Sequence, residues 1–197
     1  MSRRAVFLDR DGVINAYVYN PEFGTVDSPA RPDDFTLLPG AAEAIAKLKR
    51  AGLLTIVVSN QPGVAKGRFT PELLHTITGK MKRLVELAGG SVDAVYCCPH
   101  HPDGTANGYG RDCECRKPNP GLLARAAREH GLNLAASWVV GDRYADLEMA
   151  HTAGGRGILV MTGYGRGEYE LHHARWPRQP DALAADLTEA VRRILND

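Results

Sequence analysis

The chain has 197 residues, which at roughly 100–200 residues per domain gives one core, and a single domain over 1–197 is expected. Apolar residues make up 44% and charged residues 24%, a balance that excludes a disordered chain or a fibrous repeat. The 24 Lys and Arg against 23 Asp and Glu leave a formal charge of +1 with no basic tract, which argues against nucleic acid as a partner.

No apolar run, residues 53–58 included, approaches the roughly 18–20 residues of a membrane span. The run 5–8 behind Arg3-Arg4 stops at Asp9, too soon for a signal-peptide core. No membrane partner is expected, and the cytoplasm is the expected compartment.

In chain order, residues 5–8 read as a buried strand that ends in an acidic turn. Helical periodicity follows at 41–50, a β-rich run at 54–58 and a long helix at 71–87. Strand-like runs at 92–96, 138–140 and 158–160 alternate with helical patterns at 121–130 and 145–153. Gly52, Gly89, Gly131 and Gly154 stand where helices should stop. One helix between consecutive strands implies right-handed crossovers and a doubly wound, Rossmann-like α/β sheet with its chemistry at the strand C-termini. Three stretches break the alternation, 15–38, 99–119 and 163–180, and read as long loop insertions that wall a substrate. The last segment, 182–195, reads as a surface helix.

Asp9-Arg10-Asp11-Gly12 places two carboxylates two residues apart at the mouth of the crevice. Mg²⁺ would relieve their repulsion, because hard cations take carboxylate and carbonyl oxygens and bridge phosphates. The second carboxylate, turned away from the metal, is expected to keep its proton more readily and to serve as acid and then base. Taken alone, the tetrapeptide is equally an acidic turn. Gly141-Asp142-Arg143-Tyr144-Ala145-Asp146 closes another strand, so that Asp142 completes the metal shell, while Asp146 either supports that ligand or caps a helix. Ser59 and Asn60 offer neutral donors to phosphoryl oxygens. Lys117, within Arg116-Lys117-Pro118, offers the cation that neutralises Asp9 and a phosphate together.

Taken in order, Asp-Arg-Asp-Gly-Val-Ile-Asn, Ser-Asn-Gln, Arg-Lys-Pro and Gly-Asp-Arg-Tyr-Ala-Asp resemble the four motifs of the haloacid dehalogenase superfamily of phosphatases, over residues 5 to about 165. Within it the chain resembles the heptose bisphosphate and histidinol-phosphate phosphatases, because Cys97-Cys98-Pro99-His100-His101-Pro102 and Cys113-Glu114-Cys115 match their zinc-bearing loop. Cys98, His100, Cys113 and Cys115 give four N/S ligands, enough for a closed structural zinc site, while strand alternation sends Cys97 to the core.

The resemblance implies a HAD-like fold without a large cap and a Mg²⁺-dependent phosphoric monoester hydrolase. In it Asp9 is the nucleophile that forms an aspartyl phosphate and Asp11 the proton donor. Mg²⁺ would sit on Asp9, Asp142 and the Asp11 carbonyl. Ser59 and Lys117 would bind the phosphoryl group, Asn60 would orient the nucleophile, and Gln61, Arg116 and Arg143 would also be substrate contacts. The substrate implied is a small phosphorylated sugar, heptose 1,7-bisphosphate first and histidinol phosphate second, acted on by a monomer. A phospho-receiver module is the non-enzyme alternative. The chain departs from the family's Asp-x-Gly-Tyr pattern at residues 16–20, where it reads Ala-Tyr-Val-Tyr-Asn.

Overall fold

The computed structural model describes every residue except 1, 2, 23 and 107. The short β-branched runs form a parallel sheet, and the segments with helical period pack on its two faces. In chain order the elements are β1 (Ala5–Leu8), β2 (Val18–Asn20), β3 (Thr25–Asp27), α1 (Ala41–Arg50), β4 (Leu54–Asn60), α2 (Pro71–Leu87) and β5 (Ala94–Cys98). They continue with α3 (Gly121–His130), β6 (Trp138–Gly141), α4 (Tyr144–Thr152), β7 (Arg156–Val160), α5 (Gly165–His172), β8 (Ala182–Ala184) and α6 (Leu187–Leu195). Six strands pair in the order β5-β4-β1-β6-β7-β8, all parallel, and β2 and β3 form a separate antiparallel hairpin.

Strand alternation sorts the core into two layers. Val6, Leu8 and Val57 face Ile45, Leu48, Ile77, Met81, Val191 and Ile194, from α1, α2 and α6. Ala5, Phe7, Ile56 and Val58 face Leu122, Leu123, Met149 and Ala150, from α3 and α4. Burial of a side chain such as Phe7, fully enclosed, contributes roughly 1.5–3 kcal/mol. The chain leaves β1 toward β4 and β5 and later returns on its other side through β6 and β7, so the strand order reverses at β1. A crevice opens there, beyond the strand C-termini.

Two expectations need correction. Residues 182–195 are not one helix: Ala182–Ala184 pairs with β7 as the edge strand, and α6 begins only after Asp186, whose carboxylate accepts from Glu189 N. Residues 163–180 are not an open loop, since α5 and a 3-10 turn (His173–Arg175) occupy them. The insertion at 15–38 carries the β2–β3 hairpin, which lies over the crevice.

Candidate active site

Asp9 is the first residue beyond β1, and its N–H donates to Val140 O of β6 at 2.9 Å, so the sheet ladder fixes where the carboxylate begins. Its Oδ1 accepts from Arg10 N at 2.7 Å and lies 2.8 Å from Lys117 Nζ. Lys117 Nζ is also 2.6 Å from Asp146 Oδ1 and donates to Val58 O at 3.2 Å. Burial would lower the pKa of this ammonium, but Asp146 and Asp9 outweigh it and hold the group protonated. Asn60 secures the cation from behind: its Nδ2 donates to Lys117 O (3.1 Å) and its Oδ1 accepts from Lys117 N (3.0 Å). The amide expected to orient Asp9 is therefore committed to the Lys117 backbone.

Asp9, Asp142 and Asp146 each bring a carboxylate oxygen within 4.8 Å of the others, and all three are buried. Burial pushes Asp9 up to about 6, with Asp146 and Asp11 adding to the shift and Lys117 opposing it. Asp142 is likewise raised well above the usual carboxylate range, by burial first and then by Asp9 and Asp146. Three acids thus face one ammonium. Asp146 spends its oxygens on Lys117 and on Arg143 N (3.2 Å); the latter caps α4, one of the two roles left open for it, while its other oxygen pairs with Lys117 and makes no hydrogen bond to Asp142. Asp142 Oδ2 accepts from Tyr164 N at 2.9 Å, while its buried Oδ1 has no hydrogen-bond partner among the described residues. An unpaired buried carboxylate oxygen beside Asp9 suits a hard divalent cation. Gly12 (φ 84°) and Gly163 (φ 56°) close over Asp142, and a Cβ at either would overlap its Oδ2. This close approach accounts for the glycine in Asp-Arg-Asp-Gly.

Asp11 reverses its expectation. Burial alone would raise it, but Arg10 and donors from Asn15, Gln61 and Ser28 outweigh burial and hold it below the usual carboxylate range. Arg10 turns inward, fully buried, and donates from Nη2 to both oxygens at 3.0 Å. Asn15 Nδ2 adds a bond of 2.8 Å, Ser28 Oγ one of 2.9 Å and Gln61 Nε2 one of 2.7 Å. Gln61, expected on the substrate, is instead enclosed behind Asp11, where it also donates to Ser59 Oγ (2.9 Å) and accepts from Arg10 (2.9 Å).

Asp9 and Asp11 open onto a cavity of about 280 Å³, lined also by Ser59, Asn60, Arg116, Lys117 and Arg143. Asp142 lies beneath this surface, enclosed. Tyr17, Asp27 and Ser28, which lie in the 15–38 stretch read from the sequence as a substrate wall but were not singled out there as site residues, line the same cavity. No local signal marks them, because it is the hairpin that swings them over the crevice.

At the other edge, Cys98 ends β5 and meets three ligands from the following loop. Cys98, Cys113 and Cys115 Sγ lie 3.1–3.4 Å apart, and His100 Nδ1 is 3.4 Å from Cys115 Sγ and 3.8 Å from Cys98 Sγ. Around an ion roughly 2.3 Å from each sulfur, tetrahedral edges are about 3.8 Å, so the four donors need open only slightly to hold Zn²⁺. Cys97 packs instead beside Val64, Phe69 and Leu74. Arg116 donates to His100 O at 3.2 Å, which ties the cleft to this loop.

The family model for haloacid dehalogenase-like hydrolases matches residues 22–151, and a HAD-hydrolase-like model matches 114–190. A D-glycero-D-manno-heptose-1,7-bisphosphate 7-phosphatase from Thermosynechococcus vestitus is 40% identical over 202 residues, covering 98% of this chain and 96% of the relative. The Escherichia coli K12 D-glycero-beta-D-manno-heptose-1,7-bisphosphate 7-phosphatase is 35% identical over 190 residues, covering 96% and 94%. The crystal structure of D,D-heptose 1,7-bisphosphate phosphatase from B. bronchiseptica, complexed with magnesium and phosphate, is similar at a TM-score of 0.82 and 36% identity, covering 98% of both chains. The chain belongs to the haloacid dehalogenase-like hydrolases. Within that family it is an enzyme of the phosphoric monoester hydrolase class, which sets aside the receiver module. No helix among the described residues is long and apolar enough to cross a membrane.

Proposed function

We propose that the enzyme removes the 7-phosphate of D-glycero-D-manno-heptose 1,7-bisphosphate, with Asp9 as nucleophile. The observation that carries this reading is the distribution of cations around the cleft. Lys117 stands at the floor beside Asp9, while Lys66, Arg116 and Arg143 line the same cavity and form no ion pair among the described residues. Burial, Arg116 and Lys66 hold the pKa of His101 down, a sign of how closely the rim cations gather. Two separate cationic regions match a substrate with two phosphates. Histidinol phosphate, a monophosphate with an ammonium group, leaves the rim without a counter-charge.

An Asp9 oxygen attacks phosphorus and the ester P–O bond breaks; Asp11, held ionised by Arg10 and its other donors before substrate arrives, takes up a proton as the anionic phosphate ester binds and gives it to the departing sugar oxygen. Water then attacks the aspartyl phosphate, Asp11 takes its proton, and phosphate leaves Asp9. Lys117 and the Ser59 hydroxyl hold the phosphoryl oxygens, and Asn60 and Gln61 hold Lys117 and Asp11. Mg²⁺, held by Asp9, Asp142 and the Asp11 carbonyl, would neutralise the charge shared by the carboxylates and the phosphate. Zn²⁺ on Cys98, His100, Cys113 and Cys115 would be structural, since four protein ligands leave no open position.

The test is phosphate release from a panel holding both heptose bisphosphate anomers, histidinol phosphate and other sugar phosphates, with Mg²⁺ and with EDTA. Preference for a heptose bisphosphate, lost in EDTA, is the expected result. Preference for histidinol phosphate in direct competition overturns the substrate. A beryllium fluoride adduct on a side chain other than Asp9 overturns the mechanism.

A further inference from the structure

Arg143 extends over the cleft with its guanidinium 3.9 Å from the ring centroid of Tyr164. The Tyr17 ring meets Tyr164 edge-on, centroids 4.7 Å apart at 71°, and its phenol faces the same guanidinium. Tyr17 has little freedom to move, since it packs so close to Gly12 that a Cβ there would strike the ring. Tyr164 is held at both ends: its N–H donates to Asp142 Oδ2 at 2.9 Å and its hydroxyl to Val26 O, on β3, at 2.9 Å. No carboxylate pairs with Arg143 among the described residues. An arginine stacked on an aromatic face keeps its N–H edge free for oxygen acceptors, and a side chain ordered before binding does not lose that freedom when the ligand arrives.

We infer that Tyr17 and Tyr164 are positioning residues for Arg143, and that Tyr164 links this arginine to the β2–β3 hairpin, so that the aromatic seat sets affinity for the part of the substrate remote from the reacting phosphate. The inference deepens the proposed function and rests on its assignment of Arg143 to the substrate. The same strand end is also fastened at the two residues after Val26, by an Asp27–Arg68 ion pair and by Ser28 on Asp11. A change at Tyr164 therefore acts on Arg143 while Asp11 keeps its donors.

The experiment compares kcat and KM on heptose bisphosphate and on p-nitrophenyl phosphate, which has no remote phosphate, for Tyr164→Leu, Tyr164→Phe and Tyr17→Phe, each in wild-type and Arg143→Ala backgrounds. Tyr164→Leu should raise KM for the bisphosphate about tenfold relative to the aryl ester, with kcat held. Tyr164→Phe keeps the ring and loses only the tie to Val26, so it should cost less, and it reports on the seat if the leucine variant folds poorly. In the Arg143→Ala background these effects should vanish. Equal losses on both substrates, or losses that persist without Arg143, overturn the inference. If wild type prefers another sugar phosphate, the substrate reading fails, and the same cycle on that preferred ester still decides the role of the seat.

Discussion

The two clusters able to hold cations are built in opposite ways. Asp9, Asp142 and Asp146 stand at the ends of two adjacent parallel strands and in the first turn of α4, placed by ladder and capping bonds that exist without any ion. Of the soft ligands, only Cys98 stands on a strand, while His100, Cys113 and Cys115 come from a loop held by scattered turn bonds. The oxygen cluster has its geometry in advance and lacks only charge balance. The sulfur cluster has its ligands but little besides them to order the chain. A missing ion should therefore cost chemistry at the first and conformational order at the second.

Substitutions can break that contrast at either end. Asp9→Asn should reduce phosphate release by more than about 10⁴-fold while far-UV circular dichroism stays unchanged; turnover near wild type would remove Asp9 from the nucleophile role. Asp11→Asn should cost about 10²–10⁴-fold, and a mild loss would place proton transfer elsewhere. At the other cluster, Cys113→Ser should lower bound zinc and reduce Tm by about 5–10 °C with a smaller effect on kcat. Full zinc content by elemental analysis in that variant contradicts the ligand set.

The smallest effect expected is on pH dependence. Asp9 binds its proton more tightly folded, at about 6, than at its ordinary 3.8, so between those values the folded state carries more protons than the unfolded chain. On its account the metal-free protein loses stability as pH rises from about 4 to about 6, and Asp142 acts in the same direction. Mg²⁺ should offset this, so the Tm difference between Mg²⁺ and EDTA should be larger at pH 7 than at pH 4.5. Equal differences would show that the carboxylate cluster does not take the ion.

Much of this was legible in the sequence because it is local. The helices at 41–50, 71–87 and 121–130 match their periodicity, and Gly131 caps α3 in the left-handed region as its position suggested. The four site motifs converge because each follows a strand or precedes a helix of one parallel sheet. What escaped depends on longer reach. The polarity of Asp11 is set by Arg10 turning inward, which alternation along a strand does not foretell. Gln61 sits in an ordinary turn tripeptide, and only the packed structure shows it committed to Asp11. The edge strand at Ala182–Ala184 has too few residues for a period, and its pairing with β7 decides its form.

Cys115, Arg116 and Lys117 are consecutive, and each serves a different neighbourhood: the thiol the sulfur cluster, the guanidinium the cleft wall and His100, the ammonium the paired acids. A tripeptide so shared acts as a lever whose three arms cannot be adjusted one at a time. Drift at the thiol end, wherever it begins, would travel along the backbone to both cations and reach substrate capture and turnover as a single fault.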